Sequence, residues 1–207
     1  MKFLRENIWL LLCICGAFAY MGVMAFHDSR THTLLKKQFM PTPGEIKIAM
    51  LADVDTTVEI NKVLESLLTT TKADRAYLFQ FHNGTRLLSG KHYYFYSNTH
   101  EIVRPGTSSE MSGLQKLPIS ILTPTWMPQL IRGQPFFQAT KDEKHEYSKK
   151  ILEGQGIAYI IIVPIMDSTG AYPIGFCGVD YVHSTPIPAA LRDVQLYADQ
   201  IGVILWN

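Results

Sequence analysis

Nineteen consecutive residues, Ile8 to Phe26 (IWLLLCICGAFAYMGVMAF), carry no charged side chain. A helix of that length rises about 28 Å, enough for a hydrocarbon core of roughly 30 Å. The run reads as a transmembrane helix, with Trp9 near one end and Tyr20 and Phe26 toward the other, where interfaces would lie. A cleaved signal peptide is the rival reading, since Lys2 and Arg5 form a basic n-region and Ala17-Phe18-Ala19 offers small residues. The apolar run continues past Ala19 to Phe26 without a polar c-region, and this favours an uncleaved anchor. Lys2 and Arg5 on one side nearly balance Arg30, Lys36 and Lys37 on the other. The short basic tail tips the expected topology toward a cytoplasmic N-terminus. Cys15, Ala19 and Gly22 form a small-residue stripe along the run, candidate positions for transmembrane packing and self-association. The general frequency of small residues in membrane helices accounts for the stripe equally well.

The remainder suits one domain. In a chain of 207 residues, four segments are expected: a tail over 1–7, the span over 8–26, a linker over 27–52 and a domain over 53–207. Without Lys2, Arg5 and Glu6, the chain carries 17 basic and 17 acidic residues. Such a balance leaves no excess to displace phosphate counterions, so no nucleic-acid partner is expected. Cys177 is the only cysteine beyond the apolar run, which excludes an intramolecular disulfide in the domain.

Pro41-Thr42-Pro43-Gly44 is expected to stop a helix continuing from the span. Ile60, Val63, Leu64, Leu67 and Leu68 then predict an amphipathic helix over 53–71, with Asp53 and Asp55 at its acidic start. Arg75 to His82 and His92 to Ser97 read as the arms of a hairpin, with Asn83-Gly84 as the turn signal. Three prolines break 117–132 into short helical turns, and 134–139 reads as a third strand. Lys141 to His145 reads as a solvated charge cluster leading into a helix that ends near Gly154. Two strands, 157–166 and 174–182, flank an Asp167-Ser168-Thr169-Gly170 turn, and a terminal helix begins after Pro186 and Pro188. The order predicts an α+β domain, an antiparallel sheet with helices packed on one face.

Motifs of catalysis are missing from this sequence: no phosphate-binding loop, no H-E-x-x-H, no paired C-x-x-C and no nucleophile elbow. No two of the seven histidines share a predicted element at metal-ligand spacing. The chain is therefore read as a non-enzyme without a cofactor. Four residues stand out as candidate contacts to a ligand or partner. His82, Asn83 and Gly84 join a polar ring to a strand end, although turn chemistry accounts for them more simply. Asp180, between Val179 and Tyr181, either points outward or meets a ligand, and the sequence does not choose. Cys177 among Phe176 and Val179 reads as a buried structural thiol.

GIAYIIIVPIMDSTGAYPIGFCGVDYV, followed by an amphipathic helix, resembles the closing half of a GAF domain. RAYLFQFHNG resembles the first strand of GAF-like domains, so the resemblance covers roughly 53–207. The whole layout is similar to the T-even phage type of holin. ADRAYLF, LPISILTPTWMPQLIRGQPFF and VPIMDSTGAYPIGFCGVDYV run parallel to that family's pattern. This resemblance implies a single-pass protein of the host inner (cytoplasmic) membrane, with its domain periplasmic. It also implies self-association in the lipid bilayer, permeabilisation for host lysis, and an antiholin-type regulator as partner. A membrane-tethered, GAF-like sensory module that binds a ligand is the alternative.

Overall fold

Ile160, Ile161, Ile162 and Val163 are four β-branched residues in succession, a pattern that suits a strand buried on both faces. The computed structural model places them in the middle of such a strand. It describes residues 43–86, 92–121 and 126–206, except the side chains of 84–86 and 92–93. The chain divides between Leu51 and Ala52 into two units, and the fold set out below is that of the second.

In chain order the elements are α1 (Pro43–Thr71), β1 (Arg75–Arg86), β2 (His92–Val103), β3 (Leu117–Pro118), α2 (Trp126–Ile131) and β4 (Phe136–Ala139). They continue with α3 (Glu146–Gly154), β5 (Tyr159–Met166), β6 (Pro173–Tyr181) and α4 (Ala190–Trp206). The strands form one sheet in the order β3-β2-β1-β6-β5-β4. Every neighbouring pair is antiparallel.

Strict alternation along the central strands divides their side chains between two cores. Ala76, Leu78, Ile161, Val163, Cys177, Val179 and Tyr181 face one side, against Ile60, Leu64, Leu67 and Leu68 of α1 and Val194, Ala198 and Ile201 of α4. Tyr77, Phe79, Ile160, Ile162 and Phe176 face the other, against Trp126 and Leu130 of α2 and Leu152 of α3. Helices thus cover both faces, not one as the sequence led us to expect. The polar interruptions of 117–152 hide how much of that segment is a covering layer.

Two other expectations change. The first helix begins at Pro43, ten residues before Asp53, so part of the expected linker is helical. Proline suits a first helical turn, where its missing N–H leaves no bond unmade, and Glu45 complements the positive helix end. Asp53 and Asp55 lie inside the helix. Asn83-Gly84 does not turn the chain: β1 runs through it to Arg86, with a register irregularity between Asn83 and Arg86. The β5–β6 loop does turn where expected. Asp167 accepts hydrogen bonds from the amides of Thr169, Ala171 and Tyr172, and Gly170 takes φ +72°.

The apolar run, with Cys15, Ala19 and Gly22, lies outside the described residues. Among the described residues no helix is long and apolar enough to cross a membrane. The expected single-pass inner-membrane placement therefore finds no support among the described residues.

Candidate functional site

A cavity of about 70 Å³ lies on the α2–α3 side of the sheet. Its walls are aromatic and aliphatic: Tyr77, Phe79, Tyr96, Trp126, Ile162 and Phe176 among them. Its polar lining comes from Asn98, Glu101, Glu110, Gln155 and Asp180.

The cross-strand register explains why these polar groups converge. Arg75 of β1 stands directly opposite Asp180 of β6, and Tyr77 stands opposite Gly178. Residues 75, 77, 178 and 180 share the cavity face by alternation. A Cβ on Gly178 would come within 2.5 Å of the Tyr77 ring, so glycine there lets the ring lie across the neighbouring strand. The ring then reaches diagonally, and its hydroxyl donates to Asp180 Oδ1 at 2.9 Å.

Arg75 is 2% exposed, unusual for arginine, and it is held from several directions. Nε donates to the Ser108 carbonyl at 2.9 Å and Nη2 to the Gln155 carbonyl at 3.0 Å. Nη1 lies 3.5 Å from Asp180 Oδ2, and Nη2 lies 3.6 Å from Glu110. The guanidinium thereby ties the loop after β2 and the end of α3 to the central strands. Removing one partner of such a buried pair is costly, because it strands the other charge.

Burial pushes the Asp180 carboxyl up to about 7, while Tyr77 and Arg75 pull it back and Glu101 adds repulsion. Burial also raises the Tyr77 hydroxyl well above its ordinary value, with Asp180 acting in the same direction. Glu101 holds the loop after β2, accepting from the amides of Glu110 and Met111 and from the Ser109 hydroxyl. It also accepts from Asn98 Nδ2 at 3.2 Å. Asn98 is fully buried, and its Oδ1 has no hydrogen-bond partner. At the far wall Trp126 Nε1 donates to Glu143 at 2.9 Å. Glu143 is buried, unlike its exposed neighbours Lys141, Asp142 and Lys144 in the expected solvated cluster.

Of the four residues singled out in the sequence, Asp180 lines this cavity. His82 and Asn83 line a separate, open concavity of about 360 Å³ with Tyr94, Met127 and Tyr172. There His82 Nε2 lies 3.0 Å from Ser97 Oγ. Asp180 is thus not brought together with His82 and Asn83, and the side chains of 84–86 lie outside the described residues. Arg75, Tyr77 and Asn98 were missed. Arg75 and Tyr77 carried a readable signal, because an arginine and a tyrosine two apart on an apolar strand must share a face. Asn98 carried none.

Cys177 faces the α1–α4 core, fully buried, and burial pushes its thiol up to about 12. A thiol so held is inert as a nucleophile. Among the described residues no group of three or more His, Cys, Asp or Glu is placed to hold a metal ion.

No family model matches the chain. Over 182 residues it is 28% identical to the methanogenesis regulatory histidine kinase FilI of Methanothrix harundinacea (strain 6Ac), covering 87% of this chain and 19% of that protein. The chain thus spans about a fifth of the relative's length. Among solved structures it is similar to the phycocyanobilin-bound GAF domain of a cyanobacterial phytochrome, with a TM-score of 0.57 and 14% identity over 77% of this chain and 89% of that one. It is also similar to the blue-light-absorbing form of the PixJ GAF domain of Thermosynechococcus elongatus, with a TM-score of 0.56 and 13% identity over 74% of this chain and 86% of that one. The fold is therefore GAF-like and α+β. These likenesses overturn the expected holin role, with its phage and host-lysis vocabulary: the proteins named are a regulatory histidine kinase and the GAF domains of a phytochrome and of PixJ.

Proposed function

We propose that the domain is a sensory module that binds a small molecule in the cavity between the sheet, α2 and α3. It acts by occupancy, not by catalysis. The observation that carries this reading is the cavity itself: apolar walls with a few converging polar groups, one of them a buried amide oxygen without a partner. A pocket with that division of labour is the ordinary form of a small-molecule site. The GAF-like fold supports the reading, since the similar photoreceptor domain is a phycocyanobilin-bound one. So does the partial likeness to a regulatory histidine kinase.

The test is a thermal-shift screen of the purified chain against a metabolite library. A ligand at a hundred times its Kd is expected to stabilise the fold by about 2.7 kcal/mol. Ile162→Phe, which fills the cavity from β5, is expected to retain the fold and lose that shift. A library in which no compound raises the wild-type melting temperature at millimolar concentration would overturn the reading.

A further inference from the structure

Which chemistry the cavity selects can be read from the hydrogen-bonding capacity its lining leaves open. Three of the lining's donors are committed: the Tyr77 hydroxyl to Asp180, the Trp126 indole to Glu143 and the Asn98 amide nitrogen to Glu101. Beside the Tyr96 hydroxyl and the Gln155 amide, what remains at the surface of the cavity is acceptor chemistry. Asn98 Oδ1 is unpartnered on a fully buried residue, and an acceptor left so costs free energy until something donates to it. Three carboxyl groups line the same space, Glu101, Glu110 and Asp180. Arg75, behind the lining and with its own Nη1 lacking a hydrogen-bond partner, is the cation placed against two of them, so the carboxyl groups outnumber it.

The rest of the wall is aromatic: Tyr77, Phe79, Tyr96, Trp126 and Phe176. Ring faces attract cations, and more strongly once water is removed. The carboxyl groups are not grouped as a metal ion requires. The volume of about 70 Å³ admits roughly five to seven non-hydrogen atoms. Acceptors, missing positive charge, aromatic walls and small volume agree on one class of occupant.

We infer that the cavity binds a small organic cation, an alkylammonium whose N–H groups donate to Asn98 Oδ1 and the adjacent carboxylates while its alkyl part packs on the aromatic wall. This rests on the proposed ligand-binding role and names its ligand class.

The probes are n-butylammonium chloride, n-butanol and sodium butyrate, matched in size and differing in charge, titrated into the purified chain by calorimetry. Methyl resonances of Ile160 and Ile162, which line the cavity, are followed in parallel in the unsubstituted protein. The expected result is saturable binding of butylammonium alone, with shifts at both isoleucines. Asn98→Leu is expected to weaken that binding at least about tenfold, the worth of a hydrogen bond to a charged group. Should Asn98→Leu fail to fold, the isoleucine shifts still locate the ligand. Equal or tighter binding of butanol or butyrate would overturn the cation class while leaving ligand binding intact. Butylammonium binding that leaves both isoleucines unmoved would place it elsewhere and overturn the inference. No binding by any of the three also overturns it, and the library screen then decides the broader reading separately.

Discussion

Asp180 shows how one residue can look ordinary in a sequence and be central in a fold. Its flanking residues Val179 and Tyr181 are buried in the α1–α4 core, so alternation sends Asp180 to the opposite face. A carboxyl group raised to about 7 by burial, against about 4 when unfolded, binds its proton more tightly in the folded state. Its contribution to stability is fully present below about pH 4 and is lost as pH rises toward about 7. Asp180→Asn removes that titration. Relative to the wild type, the variant is expected to gain stability between those limits, by at most about 1.4 kcal/mol per pH unit, one proton's worth. Urea denaturation of both proteins across the range measures it. A stability difference that does not vary with pH would mean that Arg75 keeps the carboxylate charged throughout. The alternation was legible in the sequence, but the partner was not. Nothing in RAYLFQF states that Arg75 will register opposite Asp180 a hundred residues later, because antiparallel pairing is settled by the whole sheet.

At the scale of elements, what was legible is what local pattern dictates. The stripe Ile60, Leu64, Leu67 and Leu68 does form the buried face of α1, and Asp167 with Gly170 does make the β5–β6 turn. Signals failed where tertiary pairing outweighed them. Asn83-Gly84 is a strong hairpin signal, yet β1 continues through it because Phe81, His82 and Asn83 pair with Tyr96, Phe95 and Tyr94 of β2. The end of α1 shows a local compromise of another kind. Lys72 adopts φ +55° directly after the last helical residue, a left-handed conformation that costs a side chain with a Cβ. It is exposed, and the Ser184 hydroxyl donates to its carbonyl at 3.2 Å. Lys72→Gly keeps that carbonyl and is expected to stabilise the domain by up to about 1 kcal/mol, read as a raised thermal midpoint. Asp74, two residues on, supports the same corner. Burial would raise its carboxyl, but hydrogen bonds from the His183 and Val182 amides and the Ser184 hydroxyl hold it below the usual carboxylate range.

For the molecule as a whole, the GAF-like sheet was legible and the function attached to it was not. A layout of one apolar run followed by a domain suggested a permeabilising protein, whereas the domain's likenesses lie with sensory proteins. Composition could not distinguish them, because both readings share an apolar run followed by an α+β domain. A contact on the opposite side of the sheet gives that space a reach beyond its own walls. The Tyr181 hydroxyl donates to the carbonyl of Thr71 at 3.1 Å, at the last turn of α1, and Tyr181 is the strand neighbour of Asp180. Tyr181 thus links the strand that carries Asp180 to the end of α1. Tyr181→Phe leaves the ring packed and cuts the tie. In the wild type, butylammonium is expected to change amide exchange at Leu68 to Thr71, and in the variant that response should vanish while affinity stays. A vanished response would mean that an occupied cavity reaches the end of α1 through Tyr181 and not through the neighbouring Asp74 and Ser184 contacts.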